Sequence, residues 1–290
     1  MTRQSEIRNP RSQILLYPKL FLTFARNSLI RDMTFRSNFL IEMVSSMTWM
    51  VMNLGFYALV YGLLGENSSG PATIEGWTKY EFFVFIATTM FVNSLVQALF
   101  MPNAQELSEL VRTGGLDFVL LKPVDAQFML SMRKISWSSL GNFFIALILL
   151  AYSLSQLEGR PASVWSFVLY PAYVIAGVAI LYSIMITLAA TSIWLGRNQS
   201  LYDFWFYITN FSRYPMEIYQ GPVGDPLQFV FTYIVPILIV INVPAGLMAK
   251  PLDPKYAQLA LYGAAATAVA LIFSRWIFQR ALSSYRSASS

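Results

Sequence analysis

The side chains of this 290-residue chain that could do chemistry fall into two groups. The first lies among residues 103–123 and sets Glu106, Arg112, Asp117 and Lys122 between apolar residues. The second is Asp203, Asn210, Arg213 and Glu217, in a stretch crowded with aromatic rings. Neither has the make-up of a catalytic centre. The sequence holds no Cys and no His. That removes disulfides, thiolate nucleophiles and metal sites, haem ligation by His, HExxH zinc sites and Ser-His-Asp catalysis. No GxSxG sequence and no cluster of carboxylates takes their place. No GxxxxGKS/T phosphate loop is present either, so the chain supplies no ATPase site of its own.

The first group is left with recognition as its chemistry. Pro102 is expected to end the apolar run before it. Asn103 can cap a new helix, and Glu106, three residues on, completes a capping box. Leu107, Leu110 and Val111 then share one face at helical spacing, and Gly114 with Gly115 stops the helix. Leu116-Asp117-Phe118-Val119-Leu120-Leu121-Lys122-Pro123-Val124 follows. So short a helix is not stable alone, and its apolar face needs a partner. By pattern alone, that partner is another protein's groove or the membrane surface.

The elements that must position both groups are long and apolar. Apolar residues make up 56% of the chain and charged residues 12%, about half the charge of a soluble domain. A crossing helix takes about 20 mostly apolar residues. Residues 39–64, 82–101, 137–157, 164–195, 229–248 and 259–278 meet that standard. The fold class expected is all-α integral membrane, with six transmembrane helices in one domain over 1–290. Residues 1–38 read as a basic tail followed by a helix, 14–37, which lies on the inner membrane surface or runs on into the first span. Loop 65–79 is turn-rich and net acidic, suited to the outside, with Trp77 and Tyr80 in an interfacial aromatic belt. No secretory signal is expected ahead of the first span.

Residues 199–219 and 226–250 compete for the fifth crossing, because only one of them can cross if the C-terminus is inside. Either 228–248 is the span, or 199–219 crosses and 226–250, broken by Pro236 and Pro244, turns back as a re-entrant hairpin. Irregular backbone at that depth needs protein or a water-filled cavity around it. On the hairpin topology, every Lys and Arg except Lys79, Arg160, Arg213, Lys250 and Lys255 falls inside. That bias places both termini in the cytoplasm. The net charge of +5 is then explained by basic inner loops and not by nucleic acid. Charges facing mid-membrane cost about 2.5–3.5 kcal/mol each, so Glu42 and Asp203 are expected near the inner boundary. Arg213 and Glu217, four apart, can pair on one helix face. Such a pair either lines a path near an outer gate or orders the hairpin.

Arg112-Thr113-Gly114-Gly115-Leu116-Asp117, followed by Leu120-Leu121-Lys122-Pro123-Val124, resembles the signature of type-2 ABC exporter permeases. In that family the helix after span two is the coupling helix, seated in a groove of the ATPase. The resemblance therefore implies an ATPase contact made by Glu106, Leu107, Leu110, Val111, Arg112, Gly115, Leu116, Asp117, Leu120, Leu121, Lys122 and Pro123. Arg213-Tyr214-Pro215-Met216-Glu217-Ile218-Tyr219 is similar to the subgroup in which Arg-Tyr-Pro precedes a proline-bearing apolar stretch. It implies an outer gate or re-entrant region built on Arg213, Tyr214, Pro215, Glu217, Pro236 and Pro244. Members carry re-entrant helices between spans five and six. The spans are then 39–64, 80–101, 137–157, 164–195, 199–219 and 256–278, with a cytoplasmic coupling loop over 102–136 and a hairpin over 226–250.

The resemblance further implies a location in the cell inner membrane and a set of partners. These are two copies of an ABC ATPase, which hold the ATP and Mg, a second permease that is the same chain or a related one, and membrane lipid. The function implied is ATP-driven export of a lipid, glycolipid, drug or other amphipathic molecule. A stand-alone ion-coupled carrier is the alternative. It predicts acidic residues buried mid-span and inverted repeats, and the two three-span halves share no obvious similarity. An intramembrane enzyme is left without residues to carry its chemistry.

Overall fold

The computed structural model describes residues 10–34, 36–65, 72–157, 164–195, 199–250 and 254–285. The chain is an all-α membrane protein. Helices α1 (Pro10–Thr34) and α2 (Arg36–Leu64) lead to a small β-hairpin, Thr73–Ile74 with Trp77–Thr78. Then come α3 (Lys79–Leu99), α4 (Met101–Arg112), α5 (Gly115–Leu120), α6 (Ala126–Met132) and α7 (Gly141–Gln156). Helices α8 (Val164–Ala190), α9 (Ser192–Leu195) and α10 (Gln199–Asn210) follow. The last elements are α11 (Gly221–Phe229) with a π-turn over Val230–Ile234, α12 (Leu238–Ala249) and α13 (Pro254–Ser284). Among the described residues five helices are long and apolar enough to cross a membrane: Phe39–Leu64, Lys79–Arg112, Ser138–Gln156, Val164–Leu195 and Pro254–Ser284.

The core lies where α3, α8, α12 and α13 meet. Phe82, Phe85, Val92, Leu181, Ile239 and Ile241 are buried there. Helix α12 is apolar on every side apart from Asn242, a composition that suits a helix surrounded by protein, and it is buried almost throughout. Gly177 allows α8 to approach it, because a Cβ there would meet the Val240 carbonyl oxygen at 2.7 Å. Small residues let membrane helices pack this closely. At Gly246 an added Cβ would run into the ring of Tyr256.

Segment 221–249 leaves and returns at one end of the molecule. Its two arms, Gly221–Ile234 and Leu238–Ala249, are bent by 88° at a break that contains Pro236. Just before the first arm, Gln220 Nε2 donates to Glu75 at 3.2 Å, and just after the second, Lys250 Nζ donates to the Gly76 carbonyl at 2.7 Å. Glu75 and Gly76 form the two-residue turn of the β-hairpin, with φ of 47° and 77°. Positive φ at both positions is the form whose twist suits tight hairpins.

Several expected boundaries move. Pro102 does not end the second crossing: it occupies the first turn of α4, where its missing N–H costs nothing, and helix runs with little interruption from Lys79 to Arg112. The proposed crossing 199–219 is not a single helix. Helix α10 stops at Asn210, a 3-10 turn covers Phe211–Arg213, and Tyr214 is extended at φ −122°, ψ 147°. Pro215 forces the extended form on the residue before it. The hairpin begins at Gly221 and not at Pro226. Trp77 is not an interfacial ring. It is fully buried against Phe85 and Tyr256. Loop residues 66–71 and 158–163 and the side chain of Asp203 lie outside the described residues.

Candidate functional site

The segment from α4 to α6 is held from both sides. Asn103 does not cap a helix. Its Nδ2 donates to the carbonyls of Leu99 at 2.8 Å and Lys134 at 2.7 Å, and its Oδ1 accepts from Lys134 N–H at 2.8 Å. Glu106 pairs with the Lys134 ammonium at 2.9 Å. The two residues read as a capping box therefore fasten the start of the segment to its end. Helix α1 braces the same strip: Asp32 accepts from Trp137 N–H at 3.1 Å, and Ser28 Oγ accepts from Ile135 N–H at 3.1 Å.

The far side of the segment is tied to α13. Asp125 caps α6 by accepting from Phe128 N–H at 3.0 Å, as a carboxylate at that position can. It also accepts from Arg275 of α13 at 3.0 Å, and Arg275 donates to Gln127 Oε1 at 2.9 Å. Burial alone would raise the Asp125 carboxyl. The Arg275 guanidinium and the nearby backbone N–H groups outweigh that and hold it below the usual carboxylate range.

The apolar residues divide differently from the helical-face reading. Leu107 and Leu116 are fully buried within the chain itself, in a second cluster with Val119, Met129, Leu130, Ile186, Ala190, Phe278 and Ala281. Leu110 and Val111 pack half-buried at its edge. Leu107 and Leu116 are thus unavailable to a partner, because α4 and α5 fold back onto α8 and α13. Gly114, at φ 73°, makes that fold-back, a conformation glycine adopts without strain. Gly115 opens α5. The outward apolar surface lies later in the segment: Phe118 is 73% exposed and Leu121 81%, with Leu120, Lys122 and Pro123 exposed beside them. Arg112 is exposed and pairs along the helix with Glu109, at 2.9 Å from Nε. Asp117 is half-buried.

Of the second group, Glu217 lies elsewhere, at the β-hairpin end, and its pairing is not the expected one. Arg213 and Glu217 do not meet, because no helix joins them. Arg213 is exposed and lies over the Phe206 ring, 5.7 Å from its centroid. Glu217 instead joins two other elements, the β-hairpin and the first turn of α13. It accepts from Trp77 Nε1 at 3.0 Å and Tyr256 Oη at 3.0 Å, and it pairs with Lys255 at 2.7 Å. Lys250 stands over the Trp77 ring at 4.2 Å, a cation–π contact. Asn242, wholly buried in α12, accepts from Met216 N–H at 2.8 Å. Tyr214 is exposed and Pro215 buried, while Pro236 sits at the bend and Pro244 inside α12. Glu42 lies on the outward surface of α2, about 9 Å along from its start at 1.5 Å per residue.

A family model described as ABC-2 family transporter protein matches residues 47–289, a stretch that contains both groups. The chain belongs to the ABC-2 transporter family. Comparison with curated proteins and with solved structures finds no match. An ABC-2 transporter protein of this kind is a membrane permease, a transport component and not itself a catalyst, and such permeases normally work with an ABC ATPase.

Asp125, Arg275, Lys134 and Asp32, which brace the segment together with Asn103 and Glu106, were not among the residues the sequence singled out for a role. Asp125 directly before a helix carries an N-cap signal, and Asn242 stands out as an amide within an apolar run. For the pairings of Arg275 with Asp125 and of Lys255 with Glu217, 150 and 38 residues apart, no local signal exists.

Proposed function

We propose that this chain is the transmembrane subunit of an ATP-driven exporter, in which residues 103–123 carry motion between a separate ABC ATPase and the membrane helices. Two ATPase copies hold ATP and Mg, and a second permease, the same chain or a related one, completes the path. The observation that carries this reading is the exposed group Phe118, Leu120 and Leu121, mounted on a segment fixed to α8 and α13 through the buried Leu107 cluster and the Asp125–Arg275 pair. An apolar surface on so well-braced a piece can push or be pushed without folding away. The helix read as the docking element serves as the brace, and α5 with the turn after it is the docking surface.

The Lys and Arg bias supports placing this end, with both termini, in the cytoplasm of a cell with the protein in its inner membrane. The shared turn at Glu75 and Gly76 supports 199–219 as the crossing stretch and 221–250 as a re-entrant pair at the outer face, in keeping with the Arg213-Tyr214-Pro215 subgroup. Glu42 on an outward helix surface fits a boundary position or a neighbouring permease. The exported molecule is amphipathic: a lipid, glycolipid or drug.

The test is affinity purification of the tagged chain from its native membrane, reading the amount of co-purifying ABC ATPase and its ATP hydrolysis. Burying a large apolar side chain contributes about 1.5–3 kcal/mol, and about 1.4 kcal/mol is tenfold in affinity. Phe118→Ala combined with Leu121→Ala should lower ATPase recovery at least tenfold with the permease still folded. Full recovery and full hydrolysis in the double variant would sink the coupling role.

A further inference from the structure

A cavity of about 460 Å³ opens at the β-hairpin end, between α11 with its π-turn and the first turns of α13. Small-molecule sites span about 300–1,000 Å³. Its lining mixes rings with neutral hydrogen-bonding groups: Tyr233 and Tyr262, 5.2 Å between centroids, stand beside Gln228, Gln258 and Thr232. Thr232 is 1% exposed, yet its hydroxyl has no hydrogen-bond partner among the described residues. A buried hydroxyl left unpaired costs free energy that a bound polar group would recover. The π-turn over Val230–Ile234, closed by Val235 N–H to the Val230 carbonyl at 2.9 Å, contains this residue. Such turns are uncommon and recur at functional sites.

The charges at the rim are already engaged. Asp225 accepts from Gly221 N–H at 3.2 Å, and Lys255 pairs with Glu217 at 2.7 Å. With Lys255 paired, the cavity offers no unpaired cation among the described residues to an anionic ligand, and it offers hydrogen-bonding groups to a neutral one. A hydroxyl both donates and accepts, so a row of hydroxyls can satisfy Thr232 and Gln258 and meet Gln228, whose Nε2 already donates to the Met216 carbonyl at 2.7 Å, while the C–H face of a sugar ring lies against a tyrosine.

We propose that this cavity binds an uncharged polyhydroxyl group, a sugar or sugar-like moiety. The proposal rests on the export reading for its meaning, as the polar end of a substrate held at the outer face. A free sugar and the headgroup of a glycolipid share this chemistry.

The experiment uses the full chain in phosphatidylcholine nanodiscs with two probes: maltose, followed by calorimetry, and diglucosyl diacylglycerol in the disc, followed by native mass spectrometry. Saturable binding of at least one probe is expected. Maltose binding identifies a site for free sugar, and glycolipid binding alone identifies a lipid headgroup. Thr232→Val, close in shape, and Gln258→Leu should each weaken binding at least tenfold, while Thr232→Ser keeps it. Melting temperatures show whether each variant is folded. Binding of neither probe, or equal binding by wild type and both folded variants, overturns the site. ATPase co-purification, read separately from native membrane, separates the two ideas. Its absence with sugar binding intact overturns the exporter reading alone, and the reverse result overturns the sugar site alone.

Discussion

The Asp125 carboxylate, at the cap of α6, accepts from the Arg275 guanidinium of α13 at 3.0 Å. One residue thereby caps a short helix after α5 and fixes that helix to α13. Neither α5 nor α6 exceeds seven residues, too few to hold a helix alone in water. Their geometry depends on this tie, on the Asn103–Lys134 clasp, and on the Leu107 cluster.

The charge on Asp125 can be tested against pH. Its carboxyl titrates below the ordinary value, so its contribution to stability is full above the unfolded carboxylate pKa of about 3.9 and fades as pH falls through the lower, folded value. Asp125→Asn keeps a good cap and removes the charge. It should cost on the order of 1 kcal/mol at pH 7, because both partners remain partly in water. In thermal unfolding of the purified protein, the difference from wild type should shrink only once the pH is below about 3.9. A difference unchanged down to that range and beyond would rule out the ion pair as its source.

Leu107 and Leu121 should behave as opposites. Leu107→Ala opens a cavity in a closed cluster and should destabilise the protein by about 2–5 kcal/mol. Leu121→Ala removes a side chain that is 81% exposed and should leave the melting temperature unchanged while weakening ATPase recovery. Chemical unfolding of the two variants side by side decides the matter. Equal stability would place Leu107 outside the core.

The outer hairpin makes a labelling prediction in a chain that contains no native Cys. Val223→Cys and Glu75→Cys should both react with an impermeant thiol reagent added to intact cells, and Leu121→Cys should react only after the membrane is opened. All three positions are exposed. Labelling at Glu75 without labelling at Val223 would return 228–248 to the role of fifth span.

Gly246→Ala should displace the Tyr256 ring from α12 and strain the Tyr256–Glu217 hydrogen bond with it. Overpacking a filled site costs about 1–3 kcal/mol. The readout is thermal unfolding, with Gly62→Ala as control, since a Cβ at Gly62 would meet nothing within 4 Å. Similar effects at the two glycines would mean that the close packing of Tyr256 on Gly246 does not matter.

Composition and run length by themselves determined that this is a helical membrane protein, because crossing a hydrocarbon layer demands about 20 apolar residues whatever the neighbours are. The signature from Arg112 to Val124 marked where the chain turns back, because Gly114 takes a positive φ that glycine adopts without strain. Pro236 marked where the hairpin bends, whereas Pro244, expected to break it too, stands inside the unbroken α12, and the interruption at Pro215 was not foreseen. Which way each apolar side chain faces was left to the tertiary structure. Leu107 looked available on a helical wheel, yet it is buried, because α4 lies against α8 and α13 and a wheel carries no record of what stands beside it. Trp77 looked interfacial by position, yet it is a buried hub, because Glu217, Lys250 and Tyr256 arrive there from distant parts of the chain. Glu217 met Lys255 and not Arg213 because Tyr214 and Pro215 are extended, and a four-residue spacing brings side chains together only on a continuous helix.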